Sequence, residues 1–210
     1  MRICVDFKDL NTKINIEKYP LPKLDEMLSV ISDNRIFSKI DLRNAYLQVA
    51  VAKQDQKYLV ISTEKGLFRY KRLAFGLASA PGIYQRFISQ LLCDIEGIVV
   101  YLDDILICAG SMKDQYEKVK LVLSRLQGAN IRLNTEKCEF NKNKIDFLGY
   151  IVSDKGLSPS PNKVEAIKSA PVPKNLMELQ SFIGLVTYYS RFIYKFSEII
   201  SPLYELTKNM

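Results

Sequence analysis

The sequence predicts an α+β protein, in which short strands alternate with amphipathic helices. Residues 98–108 (IVVYLDDILIC) place two runs of branched apolar residues around adjacent carboxylates, a pattern typical of a buried antiparallel hairpin. Residues 111–126 carry apolar side chains at helical spacing and are followed by a glycine at position 128. Residues 157–161 (LSPSP) mark a change of composition, after which helical patterns predominate. We therefore predict one part over residues 1–155 and a second, helical part over residues 156–210.

The other elements are predicted from spacing and from turn residues. Alternating side chains over residues 1–11 predict a strand, and a chain that opens inside a strand is expected to be a fragment. Apolar residues at helical spacing predict a helix over residues 23–32, and residues 43–46 look like a turn into a short helix. Further strands are predicted at 36–42, 56–63, 67–72, 131–133, 138–140 and 144–152, and further helices at 82–92, 162–169, 176–189 and 201–207.

Composition limits the chemistry that the chain can perform. Its 30 Lys and Arg against 23 Asp and Glu give a net charge of +7, which suits a polyanionic partner without identifying one. Histidine is absent, which excludes histidine acid–base catalysis, Ser-His and Cys-His triads and histidine ligands to zinc. The four cysteines form no C-x-x-C pair, so we expect reduced, buried thiols in an intracellular protein that is not secreted. No apolar run is long enough to cross a membrane, and no membrane partner is expected.

The adjacent carboxylates Asp103 and Asp104 at the tip of the hairpin are the first candidate site. Like charges about 4 Å apart repel by roughly 4 kcal/mol at an effective dielectric near 20, so this pair is costly between apolar strands. A divalent cation would remove the cost, because hard cations prefer oxygen ligands. A solvated turn between edge strands is the alternative. Neither Gly nor Asn occurs in the turn, so an unusual backbone geometry is expected within residues 102–104.

Asp41 lies towards the end of the predicted strand 36–42 and is a candidate third carboxylate of the same site. Alone, an Asp in this position could equally cap the helix that follows. Together with Asp103 and Asp104, it would supply the oxygen donors of a two-cation centre. Two cations about 3.5–4 Å apart can activate an attacking hydroxyl and stabilise a leaving phosphate oxygen.

Five segments resemble motifs of reverse transcriptases, in the same order along the chain. They are residues 37–46 (FSKIDLRNAY), 75–85 (FGLASAPGIYQ), 101–104 (YLDD), 147–150 (FLGY) and 182–193 (FIGLVTYYSRFI). Their details are more similar to the Pol polyproteins of gypsy-type long-terminal-repeat retrotransposons than to retroviruses. The resemblance spans nearly the whole chain. It implies a right-hand polymerase with partial fingers, a palm with an antiparallel sheet and a thumb-like helical segment.

The resemblance also implies roles at individual positions. Asp41, Asp103 and Asp104 would be catalytic and, with the backbone carbonyl of Leu42, would bind two Mg²⁺ ions, for which Mn²⁺ could substitute. The incoming deoxynucleoside triphosphate would contact Arg2, Leu42, Arg43, Asn44, Ala45, Tyr46 and Phe75. The template and primer strands would contact Gly76, Gln85, Leu148 and Gly149.

Several of these positions have a second interpretation. Arg2 would grip the triphosphate with its planar guanidinium, but it could also be a solvated edge charge. Tyr46 would exclude a ribose 2′-hydroxyl, but it could also be an amphipathic core aromatic. Phe75 stands where retroviral enzymes have a glutamine, and Leu47 replaces a histidine common in gypsy elements.

The implied activity is RNA-directed DNA polymerisation by two-metal nucleotidyl transfer to a primer 3′-hydroxyl. Its partners would be an RNA or DNA template, a primer strand and a deoxynucleoside triphosphate, in a cytoplasmic particle or the nucleus. Ribonuclease H and integrase parts are expected in the full polyprotein. One alternative is a catalytically inactive, nucleic-acid-binding remnant of such an element. Another is a two-metal nucleotidyl transferase that uses only DNA templates.

Overall fold

The computed structural model describes residues 5–208 and confirms the predicted α+β class. Within this part of the chain, the strands are β1 (Ile36–Asp41), β2 (Val60–Thr63), β3 (Gly66–Arg69), β4 (Ile98–Tyr101), β5 (Asp104–Ala109), β6 (Glu139–Lys142), β7 (Lys144–Phe147), β8 (Tyr150–Ser153) and β9 (Gly156–Pro159). The α-helices are α1 (Lys8–Asn11), α2 (Leu24–Ile31), α3 (Ala80–Leu92), α4 (Met112–Gly128), α5 (Pro161–Lys168), α6 (Leu176–Tyr188) and α7 (Phe196–Lys208).

The described chain divides into two compact units. The first comprises residues 5–145 and 153–156, and the second comprises residues 146–152 and 157–208. The second unit contains helices α5, α6 and α7, with a small apolar core in which Leu179, Ile183 and Ile200 are buried.

The first unit is built on a four-stranded antiparallel sheet with the order β4-β5-β1-β6. The central strand β5 is fully buried from Ile105 to Ala109, as expected for a continuous run of apolar residues. Helices α3 and α4 pack against this sheet, and Ile88 and Val122 are wholly buried in their common core. The ends of the strands are therefore held by a rigid, closely packed core.

Several predicted elements differ in the structure. The strand predicted over residues 1–11 is wrong where the chain is described, because Lys8–Asn11 form a helix whose first turn is held by the Asp6 carboxylate accepting from the Lys8 N–H at 2.9 Å. Residues 131–133 make only one bridge, between Leu42 and Leu133. The strand predicted over 144–152 is two strands, β7 and β8, separated by a tight turn.

The thiols are also only partly as predicted. Cys108 is buried, Cys138 is half-buried and Cys93 is exposed, and none of these three forms a disulfide. Cys4 lies outside the described residues. No helix in residues 5–208 combines the length and apolar character that a membrane span requires.

Candidate active site

The pairing of β1 with β5 brings the three predicted carboxylates to one end of the sheet. Six consecutive residue pairs run from Ile36 opposite Ala109 to Asp41 opposite Asp104. Beyond the last pair, the Leu42 N–H donates to the Asp103 carbonyl oxygen at 2.8 Å. The end of β1 is therefore joined by a hydrogen bond to the tip of the β4–β5 hairpin.

The hairpin tip has the unusual backbone geometry that the sequence predicts. Tyr101 pairs with Asp104, so Leu102 and Asp103 form a two-residue loop. Leu102 has φ of 52°, a left-handed conformation that costs a residue with a bulky side chain about 1–3 kcal/mol. The loop leaves the Asp103 side chain exposed, whereas that of Asp104 is half-buried.

Asp104 is affected by burial and by the charges of its neighbours. Burial first, and then the neighbouring charges of Asp103 and Asp41, raise the pKa of the Asp104 carboxyl above its ordinary value. The positive charges of Lys39 and Lys137 act in the opposite direction. Asp41 lies opposite Asp104 in the strand ladder and Asp103 directly precedes it, so the three carboxylates are neighbours, as the sequence hypothesis requires.

Lys137 is a site residue that the sequence did not reveal. Its ammonium group lies 4.0 Å from the Asp41 carboxylate. The Asn134 N–H donates to the Asp41 carbonyl at 2.9 Å, and the Leu42–Leu133 bridge fixes the same segment beside β1. A lone lysine after an irregular segment carries no sequence signal, so only this backbone pairing places it.

Asp41 and Asp103 open onto a cavity of about 810 Å³. Five of the residues predicted to contact the nucleotide also line this cavity: Leu42, Arg43, Asn44, Ala45 and Phe75. Tyr46 is not among the lining residues. Its ring packs against Phe75 and Tyr84, with ring centroids 5.2 Å and 5.5 Å away. Arg2 lies outside the described residues.

A second cavity, of about 1010 Å³, adjoins the first and shares Arg43 and Asn44 with it. Arg72 and Arg132 also line it, and among the described residues no acidic side chain does. Gln48 holds these arginines together. The side-chain N–H of Gln48 donates to the backbone carbonyls of Arg43 and Arg132 at 2.6 and 3.0 Å. The backbone carbonyl of Gln48 accepts from the Arg72 guanidinium at 2.8 Å. We name this cavity, lined by Arg43, Arg72 and Arg132, the arginine groove.

The residues predicted to contact template and primer lie in three separate settings. Gly76, with φ of 93°, faces the Val5 carbonyl so closely that a Cβ would collide with it. Gln85 is 1% exposed and its carboxamide bonds to the hairpin backbone. Leu148 and Gly149 form the β7–β8 turn in the second unit, with φ of 54° and 82°. Their predicted contacts with nucleic acid stay predictions.

Residues 1–152 match the sequence profile described as "Reverse transcriptase (RNA-dependent DNA polymerase)". The chain belongs to the reverse transcriptase family. The match confirms the family that the motifs at 37–46, 75–85 and 101–104 indicated.

Among relatives of this reverse transcriptase domain are transposon polyproteins of Schizosaccharomyces pombe. The Tf2-3 polyprotein is 37% identical over 210 residues and the Tf2-7 polyprotein is 36% identical over the same length. Each alignment covers 99% of this chain but only 16% of the polyprotein, so the chain spans about a sixth of the length of these relatives. These polyproteins belong to the Ty3/gypsy type, as the sequence predicted.

Solved structures of foamy viral protease-reverse transcriptase have the same fold. One, described as a complex with double-stranded DNA, matches with a TM-score of 0.94 and 25% identity over 100% of this chain and 37% of the other. Another, described as a complex with an RNA/DNA hybrid, gives a TM-score of 0.87 and 26% identity over 98% of this chain and 28% of the other. The predicted right-hand polymerase fold is confirmed by these matches.

Reverse transcriptases generally use divalent metal ions, and the carboxylates of this site can be compared with that requirement. Within residues 5–208, no three acidic or cysteine side chains converge closely enough to hold an ion by themselves. Mg²⁺ commonly keeps several waters and is bound by one or two carboxylates together with substrate phosphates. Asp41 and Asp103 line one cavity together with Leu42 and the nucleotide segment, so the donor set fits an ion site that the substrate completes.

Replacing Asp104 by Asn is expected to raise the thermal unfolding midpoint at pH 7. A carboxyl whose pKa is raised on folding destabilises the folded state at every pH above that raised value. The gain should therefore be present at neutral pH and should disappear below the ordinary Asp range, where the carboxyl is protonated in both states. Thermal unfolding of both proteins between pH 3 and pH 8 measures this difference.

The matched control is Asp154→Asn, because Asp154 is exposed. This control should leave the midpoint at pH 7 close to that of the parent. An Asp104→Asn midpoint equal to or below that of the parent at pH 7 would contradict the electrostatic account.

Proposed function

We propose that this reverse transcriptase domain transfers a deoxynucleotide from its triphosphate to a primer 3′-hydroxyl, directed by an RNA template. The observation that carries this proposal is the register of β1 with β5, which sets Asp41 and Asp103 beside the nucleotide segment 42–45 in one cavity. The relatives are longer polyproteins, so the activity of this chain is inferred from its own site.

In the proposed reaction, the primer 3′-hydroxyl loses its proton to solvent water, and its oxygen attacks the α-phosphorus of the triphosphate. The bond between the α-phosphorus and the bridging oxygen breaks, and pyrophosphate leaves with both electrons of that bond. The Asp41 and Asp103 carboxylates and the Leu42 carbonyl would hold two Mg²⁺ ions, with Mn²⁺ as a substitute. Bound there, the ions would activate the hydroxyl and stabilise the leaving oxygen. Asp104, half-buried beside them, would be a neighbouring and less direct ligand of the same ions.

The nucleotide would occupy the cavity of about 810 Å³ above the Asp41 carboxylate. Arg43 would meet its phosphates, and Asn44, Ala45 and Phe75 would form the wall beside its base and sugar. The Tyr46 ring is fixed by aromatic neighbours on two sides, which suits a steric barrier against a ribose 2′-hydroxyl. Lys137, next to Asp41, would pair with the departing phosphates.

The partners proposed for this domain are a template strand and a primer strand. The related foamy viral proteins are described in complexes with double-stranded DNA and with an RNA/DNA hybrid. The net charge of +7 and the arginine groove suit such polyanions. Gly76, Leu148 and Gly149 remain our proposed contacts with these strands, whereas the buried Gln85 carboxamide already bonds to the hairpin backbone.

We also propose how this domain fits a larger protein. Residues 1–155 would act as fingers and palm and residues 156–210 as a thumb or connection. Ribonuclease H and integrase parts would belong to the full polyprotein, as the small share of the relatives that the chain covers supports. An intracellular setting agrees with the free thiols of Cys93, Cys108 and Cys138.

A catalytically inactive, nucleic-acid-binding remnant is the second candidate. It is favoured by one observation, that residues 5–208 contain no cluster of three side chains able to hold a metal ion. Activity decides between the two candidates.

The Asp103→Asn variant is expected to lose primer extension on an RNA template by at least about 100-fold, because the exposed carboxylate at the hairpin tip is removed. Binding of the primer–template should stay within about twofold of the parent, because the substitution removes no positive charge that pairs with a phosphate. Extension with Mg²⁺ and binding at fixed salt are measured on the same preparations.

The control for this experiment is Asp154→Asn, which removes an exposed carboxylate in another turn and should retain full extension. Absence of extension by a folded parent protein that still binds nucleic acid would favour the remnant. Full extension by Asp103→Asn would rule out the proposed role of the hairpin carboxylates.

Arginine-groove variants are expected to change the salt dependence of nucleic-acid binding. With Arg72→Gln and Arg132→Gln combined, the slope of log K against log salt should decrease by about 0.7–0.9 for each phosphate that the protein no longer neutralises. Binding titrations between low and high salt give the slope.

The combined variants Lys113→Gln and Lys120→Gln remove two exposed charges of helix α4 that line neither cavity. Their slope should remain close to that of the parent. Equal slopes for both double variants would show that the groove does not contact phosphates.

A further inference from the structure

Gln85 is wholly buried, yet each end of its carboxamide bonds to the backbone of the hairpin that carries Asp103 and Asp104. Its side-chain N–H donates to the Val100 carbonyl at 2.8 Å, and its side-chain oxygen accepts from the Leu102 N–H at 2.7 Å. The side chain is 1% exposed. A glutamine engaged in this way has little surface left with which to reach a template strand.

The Val100 carbonyl and the Leu102 N–H have no hydrogen-bond partner within the sheet. β4 is an edge strand in the order β4-β5-β1-β6, so backbone groups on its outer side need partners from elsewhere. Leu102 lies in the two-residue loop, outside the ladder of paired strand residues. A buried backbone donor or acceptor without a partner costs about 1–3 kcal/mol, so these two bonds determine which loop geometry is stable.

Leu102 is also the strained residue of the loop. Its φ of 52° is unfavourable for leucine, and the bond from Gln85 acts on the N–H of that same residue. Asp103 follows directly, so the direction in which its carboxylate points depends on the geometry at Leu102. The Ser89 hydroxyl, one turn further along α3, accepts from the same Gln85 amide at 3.2 Å and fixes its rotamer.

We propose that Gln85 is a positioning residue for the Asp103 carboxylate. It holds Leu102 in its left-handed conformation from helix α3, and it acts through the hairpin rather than through contact with the template. This inference rests on the proposed function, since its catalytic consequence requires that Asp103 serve the transfer reaction. The structural part of the inference, the restraint on Leu102, does not depend on that reaction.

The test uses Gln85→Met, which keeps the length of the side chain and removes both hydrogen bonds to the hairpin. The kcat of primer extension should fall by on the order of 10–100-fold, because a small displacement of a catalytic group is enough for such a loss. The KM values for primer–template and for the triphosphate should stay within about twofold. If Gln85 instead contacted the template, the substitution would raise the KM for primer–template and leave kcat unchanged. That result would overturn the proposal.

The matched control is Gln90→Met, the same substitution at an exposed position of the same helix, which should change neither kcat nor KM. If the Gln85→Met protein does not fold, Gln85→Glu takes its place. It keeps the acceptor for the Leu102 N–H and removes the donor to Val100, and a loss confined to kcat is again expected. A kcat equal to that of the parent in a folded variant would overturn the proposal.

Amide hydrogen exchange at Leu102 tests the restraint without any reference to polymerase activity. In Gln85→Met, this amide should exchange at least about tenfold faster than in the parent, whereas amides in the middle of β5 should keep their protection. Unchanged exchange at Leu102 would overturn the proposal even if extension fell. If the parent shows no extension but Leu102 still exchanges faster in Gln85→Met, the proposed function is wrong and the restraint on Leu102 is supported.

Discussion

The antiparallel pairing of β1 with β5 is the constraint on which the rest of the site depends. A strand register fixes which residues are opposite one another, and a shift of one residue would turn each side chain to the other face. Here the register runs from Ile36 opposite Ala109 to Asp41 opposite Asp104. Residues Ile105 to Ala109 of β5 are buried, and in β1 the buried Phe37 and Ile40 would move out of their buried places after a one-residue shift, so core packing favours this register. The core thus determines the positions of carboxylates that do not themselves belong to it.

The site is stabilised by its surroundings rather than by its own contacts. The carboxylates repel one another, the loop residue Leu102 is strained and Asp104 is partly desolvated. Opposing these costs are the buried strand pairs, the bonds from Gln85 and the positive charges of Lys39 and Lys137. A group of like charges held in place in this way gains stability when a cation binds, and electrostatic preorganisation of this kind is the usual source of large rate effects.

Much of this arrangement could be predicted from the sequence, for identifiable physical reasons. The apolar runs at 98–108 favour a buried hairpin, and a tip without Gly or Asn required a strained residue, which is Leu102. The family was evident from the motifs around Asp41 and Asp103. The strand expected over residues 1–11 was wrong in the described part because alternation over so few residues is a weak signal, and a local bond from the Lys8 N–H to the Asp6 carboxylate favours a turn there.

Long-range contacts could not be predicted from the sequence. Nothing in the spacing of Lys137 indicates that it lies beside Asp41, since the Leu42–Leu133 bridge that places it involves a segment without regular strand structure. The role of Gln48 in holding three arginine-bearing segments together depends on hydrogen bonds across 84 positions of the chain. Likewise, nothing in the motif around Gln85 indicates that both ends of its carboxamide bond to the β4–β5 hairpin.

The central claim is our proposal that the β1–β5 register brings Asp41 and Asp103 together as ligands within one divalent-cation site. A double-mutant cycle on Mn²⁺ binding tests it most directly, with the parent, Asp41→Asn, Asp103→Asn and the double variant followed by electron paramagnetic resonance of free Mn²⁺. The account predicts that each single variant weakens binding and that the double variant is little weaker than either, because the two carboxylates share an ion. Losses that simply add, or Mn²⁺ affinity that none of the variants changes, would contradict it.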